Sequence, residues 1–249
     1  MPRRLGQHFL IRTSTLEKIA AAACPETGGT VIEIGPGKGA LTTHLAARAD
    51  RVIAIEIDPV LVQYLQAKFR DEPKVEIVES DVLKADLTRW TPAAVAGNLP
   101  YYITSPILER VLSLGGQWSR AVFLVQKEVA ERLNAVPGTR DFGFLSVQTQ
   151  FYSDVELLMD VPPGAFKPPP RVDSAVVRLT PRKELPADSR IFLRFASQCF
   201  RHKRKTLRNN LLGSYEKELL DSVKETSMRA EQMSIADLVA LQARLDLGN

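Results

Sequence analysis

Thr30-Val31-Ile32-Glu33-Ile34-Gly35-Pro36-Gly37-Lys38-Gly39 is the stretch on which the reading of the fold turns. Thr30 to Ile34 is short, apolar and β-branched, the pattern of a buried strand. Three glycines at alternate positions follow at once. Glycine lets the backbone turn sharply and lets a ligand approach it closely. Ala40 to Arg48 then reads as a helix. The unit repeats downstream: Arg51 to Ile57 is a second β-branched strand, and Asp58-Pro59 supplies a helix N-cap followed by proline at the first helical position. That helix runs through Leu61, Leu65 and Phe69. Lys74 to Glu79 alternates in polarity as a third strand. Ala93 to Gly97 forms a fourth that leads into Asn98, a helix starts at Ile103, and Ala121 to Val125 is a fifth strand. Strands alternating with helices predict an α/β fold, a mostly parallel, doubly wound sheet with helices on both faces. Upstream, Ser14-Thr15-Leu16-Glu17 has the form of a capping box opening a first helix.

Two later strands, Val155 to Val161 and Ser174 to Leu179, flank a proline-rich loop and are expected to pair at the sheet edge. After Thr180 the pattern changes. Pro181 to Asp188 reads as a linker, and the periodicity beyond it is helical only: Ile191 to Phe200, Thr206 to Leu212, Glu216 to Val223 and Ser234 to Leu245, the last with an S-x-x-D start. The expected organisation is an α/β domain over residues 1–180 and a small all-helical domain over 188–249.

Composition excludes several classes. Of the 249 residues 45% are hydrophobic and 25% charged, as in an ordinary globular protein. No apolar run reaches the roughly 18 residues of a membrane span, and that of the basic N-terminus is too short for a secretion signal. A cytoplasmic protein is expected. Cys24 and Cys199 are isolated in sequence, and His8, His44 and His202 are scattered without metal-ligand spacing. The net charge of +4 is concentrated in Arg201-His202-Lys203-Arg204-Lys205-Thr206-Leu207-Arg208, which holds five basic side chains and no acid, while the remainder is close to neutral. A local positive excess suits a phosphate-binding patch, and equally a solvated helix face.

The predicted strand ends carry the chemistry, because ligands of open α/β sheets bind at that edge. Gly35 and Gly37 follow the first strand. Glu56 ends the second, where a carboxylate can accept both hydroxyl protons of a ribose. Asp81, after the third, can accept from an adenine amino group with Val82 against the ring. Asn98 ends the fourth. Taken singly, each has a plain reading as a tight turn, a solvated strand end or a helix cap. A nicotinamide dinucleotide site would ask for G-x-G-x-x-G, whose spacing shapes a pyrophosphate seat. Here the spacing is G-x-G-x-G, which suits S-adenosylmethionine, a ligand without pyrophosphate.

Asn98-Leu99-Pro100-Tyr101 is the most informative tetrapeptide. An adenine amino nitrogen is a poor nucleophile because its lone pair is delocalised into the ring. Methylating it from a sulfonium needs position and polarisation more than a strong base. Asn98 offers a side-chain carbonyl as acceptor. Pro100 biases Leu99 toward an extended backbone, which aims a second carbonyl at the same nitrogen. Tyr101 offers a flat face for a base.

In this order, EIGPGKG, Glu56, Asp81 and NLPY resemble the rRNA adenine N6-dimethyltransferase family, a class I methyltransferase group, and the likeness runs over nearly the whole chain. Gly6-Gln7-His8-Phe9-Leu10 is similar to the family's N-terminal motif, which implies that His8 and Leu10 close over the cofactor; a structural role for His8 stays open. Arg12 departs from the acid or amide expected after that motif. Phe123 to Ala130 resembles the family's strand–helix segment. Ala165 to Ser174 resembles its proline-rich loop, which implies that Phe166 sandwiches the target base opposite Tyr101. The residues alone also allow Phe166 to plug the core. Arg204 to Leu211 resembles the C-terminal signature of the small-subunit branch. The resemblance implies S-adenosylmethionine as cofactor, rRNA contacts at Arg201, Lys203, Arg204, Lys205 and Arg208, and a monomer that dimethylates two neighbouring adenosines near the 3′ end of small-subunit rRNA, free or in a pre-30S-type particle, with no membrane and no metal. A large-subunit rRNA methyltransferase, a non-catalytic RNA-binding assembly factor and a nicotinamide dehydrogenase are the alternatives.

Overall fold

The computed structural model describes residues 8–248. Gly6 and Gln7 of the N-terminal motif lie outside them. The chain divides into two compact units, one running up to Ala130 and resuming at Ser153–Pro181, the other formed by Glu131–Tyr152 and the residues from Arg182 onward.

The first unit is built on a seven-stranded sheet. Its strands are β2 (Thr30–Ile34), β3 (Arg51–Glu56), β4 (Val75–Glu79), β5 (Ala93–Asn98), β6 (Trp118–Gln126), β7 (Ser153–Val161) and β9 (Ser174–Pro181), in the spatial order β4-β3-β2-β5-β6-β9-β7. The first five in that order run parallel, and β9 runs antiparallel between β6 and β7. The two late strands pair as expected, but β9 lies inside the sheet and β7 forms the edge. Connection by α2 (Ala40–Ala46) and α3 (Pro59–Lys68) carries the chain one way from β2, and α4 (Thr104–Leu112) carries it the other way from β5. The order therefore reverses between β2 and β5, and the crevice at their carboxyl ends is the switch point where such sheets bind ligands.

A separate two-residue strand, β1 (Phe9–Leu10), pairs antiparallel with β8 (Phe166–Lys167). The amides of Ile11 and Arg12 both donate to the Ala165 carbonyl. This anchoring shifts the start of α1 (Thr13–Ala23): Arg12 precedes it with no side-chain cap, and Ser14 lies in the first turn instead of opening a capping box. The helix is held by burial of Leu16, Ile19, Ala20 and Ala23, so tertiary packing overrides the local signal. By contrast Asp58 caps α3 as expected, accepting from Val60 N–H, with Pro59 behind it.

The second unit contains α6 (Phe144–Tyr152), α7 (Ser189–Cys199), α8 (Leu207–Leu211), α9 (Lys217–Ser222) and α10 (Ile235–Leu247); α5 (Lys127–Leu133) runs through the boundary at Ala130. Thr206 caps α8, and Ser234 forms the expected capping box with Asp237. The expected boundary at residue 180 needs one correction, since residues 131–152 join the helical unit. Phe142, Val147 and Phe151 form one apolar cluster with Phe192, Phe195, Leu207 and Leu238, and the rings of Phe151 and Phe192 stack at 4.7 Å. The apolar faces of α7, α8 and α10 need a partner, and an excursion from the α/β region supplies it. Among the described residues no helix is long and apolar enough to cross a membrane, and no group of three His, Cys, Asp or Glu could hold a metal ion.

Candidate active site

A cavity of about 1050 Å³ opens at the switch point, at the upper end of the sizes found for small-molecule sites. His8, Leu10, Gly35, Gly37, Glu56, Asp81, Val82, Asn98, Leu99, Pro100 and Tyr101 all line it. Gly35 to Tyr101 converge because each follows or ends a strand at the same edge, while His8 and Leu10 reach the cavity from β1, outside that sheet.

The glycine loop is left-handed at Gly35, Gly37 and Gly39. At Gly37 the reason is close approach: a Cβ there would lie 3.0 Å from the Phe9 ring. Glu56 is almost fully buried and binds backbone at both oxygens. Oε2 accepts from Gly37 N–H at 3.2 Å, and Oε1 accepts from Ile57 and Asp58 N–H at 2.9 and 3.0 Å. Three amides hold this carboxylate rigid at the end of β3. Asp81 Oδ1 accepts from Leu83 N–H at 3.0 Å, and Val82 is buried beside it.

Asn98 is oriented by chemistry that leaves no choice of amide flip. Its Nδ2 donates to the His8 carbonyl at 2.9 Å, so its Oδ1 remains the acceptor end. The His8 ring is held in turn by a 2.9 Å hydrogen bond between Nδ1 and the Pro168 carbonyl, and lies nearly parallel to the Tyr101 ring at 6.0 Å. The Tyr101 hydroxyl pairs with the Ser174 hydroxyl at 2.7 Å, and burial pushes its pKa up.

Phe166 departs from its expected place. Its side chain is 3% exposed, packs in the apolar cluster with Leu10, Leu16, Val161 and Val176, and does not line the cavity. Pairing of β8 with β1 turns it inward, and its place in the apolar cluster supports the core reading over the base-sandwich reading.

Sequence reasoning missed Glu33. It is 1% exposed beneath the glycine loop, lines the cavity, and has no hydrogen-bond partner at Oε2. Its pKa is raised to about 7: burial is the main cause, the neighbouring Thr42 hydroxyl opposes it, the Glu56 charge adds to it, and Lys68 opposes it. A lone acid inside an apolar strand, TVIEI, was the available signal. Ser174 carried none, because its role depends on a contact 73 positions away.

In the helical unit Arg201, Lys203, Arg204 and Lys205 are exposed on the turn before α8. Buried Asn210 pins that turn, accepting from His202 N–H at Oδ1 and donating to the Cys199 and His202 carbonyls. Arg208 is engaged by Asp221 through both Nε and Nη2.

The sheet order and the cavity at its switch point define a class I methyltransferase. Residues 2–246 match the profile of the ribosomal RNA adenine dimethylase family, and the chain belongs to that family. It is an rRNA adenine methyltransferase, and the family's chemistry implies S-adenosylmethionine as methyl donor. A ribosomal RNA small subunit methyltransferase A of Acidobacterium capsulatum is 43% identical, the match covering 98% of this chain and 90% of that one. A protein so named from Leptothrix cholodnii is 40% identical, with 96% and 90% covered. Among solved structures, a dimethyladenosine transferase from Plasmodium falciparum superposes with a TM-score of 0.81 at 25% identity over 97% of both chains. The 23S rRNA methyltransferase ErmE superposes with 0.72 at 30% identity, covering 96% of this chain and 99% of that one.

Proposed function

We propose that the protein transfers methyl groups from S-adenosylmethionine to the exocyclic amino nitrogens of two adjacent adenosines near the 3′ end of small-subunit rRNA, free or partly assembled, in the cytoplasm. The observation that carries the chemistry is the Asn98 amide, whose N–H₂ end is tied to the His8 carbonyl. Its Oδ1 then serves as a preorganised acceptor for one hydrogen of the target amino group, and the Leu99 carbonyl serves for the other. Accepting both draws the lone pair out of conjugation, and no reorganisation is needed during reaction. The cofactor supplies a methyl already activated on a sulfonium. Asn98 Oδ1 and the Leu99 carbonyl would keep the amino nitrogen aimed at that methyl, and the proton released on transfer would pass to solvent. Tyr101, anchored through Ser174, offers a ring face to the extruded base, because an adenine stacked in a helix cannot present its amino group.

The residues present fit the cofactor. Glu56 stands at the ribose position, Asp81 and Val82 at the adenine position, and the unpartnered Oε2 of Glu33 offers an acceptor inside the cavity. The exposed cations of Arg201, Lys203, Arg204 and Lys205 suit RNA phosphates.

A large-subunit substrate is the second reading, supported by the likeness to ErmE. The small-subunit reading is preferred because relatives named for that subunit reach 43% identity over nearly the whole chain. Incubation with labelled cofactor and unmodified small or large subunits, followed by mapping of the methylated bases, tests both. Dimethylation of two adjacent adenosines in the small-subunit RNA is expected. Label confined to large-subunit RNA would overturn the assignment.

A further inference from the structure

The glycine loop is gripped from two directions by one strand–helix unit. Glu56, at the end of β3, takes the Gly37 amide. Twelve residues later, in the last turn of α3, Lys68 Nζ donates to the carbonyls of Lys38 and Gly39, both at 3.0 Å. Leu65 and Phe69 of the same turn press on Gly39, where a Cβ would come within 2.9 Å of Leu65 and 2.6 Å of Phe69. The spacing of 65, 68 and 69 puts all three on one helix face. The Lys68 ammonium also lies over the Phe69 ring, 5.1 Å from its centroid. Lys68 stays exposed overall, yet its ammonium is held by two carbonyls and a ring face, with its aliphatic stem lying along the helix surface.

Beneath the loop lie two buried carboxylates. Glu33 is faced by Thr42 of α2, Glu56 of β3 and Lys68 of α3. Lys68 is the cation of this group; burial lowers its pKa and Glu33 raises it. Two acids against one ammonium leave the cluster short of positive charge when both acids are ionised.

We propose that Lys68 is a positioning residue for cofactor binding, holding the glycine loop in its ligand-accepting shape through the Lys38 and Gly39 carbonyls and bringing positive charge to the side of the cavity where Glu33 and Glu56 are buried. This rests on the reading of the cavity as the S-adenosylmethionine site. That cofactor carries a sulfonium, an ammonium and a carboxylate, a net charge of +1, which the buried carboxylates of the cavity favour. The product, S-adenosylhomocysteine, lacks the sulfonium charge. Affinity for the cation should therefore rise with pH as Glu33 ionises, and affinity for the product should rise less.

The test is calorimetric titration of S-adenosylmethionine and S-adenosylhomocysteine into the wild type, K68M, K68Q and K68R between pH 6 and 9, with melting temperatures and steady-state kinetics alongside. K68M is expected to weaken both ligands about tenfold or more and to raise the cofactor KM, with kcat at saturating cofactor within about twofold. Its pH midpoint for S-adenosylmethionine binding should move upward, because Glu33 loses its stabilising cation. K68R should restore much of the affinity and the wild-type midpoint. Lysine acting only as a structural prop would lower the melting temperature without moving the midpoint. K68Q keeps donors but no charge, so it too should move the midpoint, and it carries the same test if K68M does not fold. Wild-type affinity and an unmoved midpoint in folded K68M or K68Q would overturn the proposal. If the wild type binds neither ligand, the cofactor reading itself fails, and the proposal falls with it.

Discussion

The strand-edge cavity and the basic turn before α8 handle charge and polarity in opposite ways. In the cavity, Glu56 is bound by three amides and Asn98 by a carbonyl, so each functional atom is fixed before any ligand arrives. On the turn, Arg201, Arg204 and Lys205 are exposed, and it is the backbone beneath them that is fixed, by buried Asn210. The difference follows from the task. Polarising one nitrogen requires an acceptor that does not reorganise during reaction. Meeting phosphates requires charge that can adapt to a flexible polyanion, and it gains from released counterions and not from fixed geometry.

Three substitutions bear on this contrast. The largest expected effect lies outside both regions and marks the edge of the cavity. Phe166→Ala removes a buried ring from the apolar cluster and should destabilise the fold by about 3–5 kcal/mol. Thermal or denaturant unfolding measures it. A normal melting temperature with lost methylation would return Phe166 to the base site and extend the rigid region to β8.

Asn98→Ala comes next. Turnover should fall on the order of 100-fold while cofactor affinity stays within a small factor. Single-turnover methylation and calorimetry separate the two. After the first transfer the nitrogen keeps one hydrogen, so the two methylation steps should respond unequally. An ordinary rate would remove the polarising role from the fixed amide.

The smallest effect is expected on the turn. Changing Lys203, Arg204 and Lys205 together to Ala should weaken RNA binding and flatten its salt dependence, by roughly one unit of slope per lost phosphate contact. The melting temperature should barely change, since these side chains are exposed. An unchanged slope would make the turn a solvated surface.

Much of the site was legible because its residues sit at strand ends. A β-branched run followed by Gly35 and Gly37 marks both a strand and its ligand-facing turn, and the next three strands repeat the logic at Glu56, Asp81 and Asn98. Local sequence also decided the caps at Asp58 and Ser234, which satisfy amides within three residues. Only tertiary structure decided the rest. The Ser14 signal was overruled by the β1–β8 pair, which fixes the chain just upstream. Phe166 turned inward for the same reason: strand pairing sets which face a side chain takes, and that pairing joins residues more than 150 positions apart. Residues 131–152 joined the helical unit because apolar faces of α7, α8 and α10 needed covering, a demand no local window contains. Lys68 became a partner of the glycine loop through hydrogen bonds to carbonyls about thirty positions upstream. The sequence by itself determined which atoms stand at the sheet edge, because strand ends are local. What surrounds and holds those atoms depended on long-range packing, and only the folded chain could decide it.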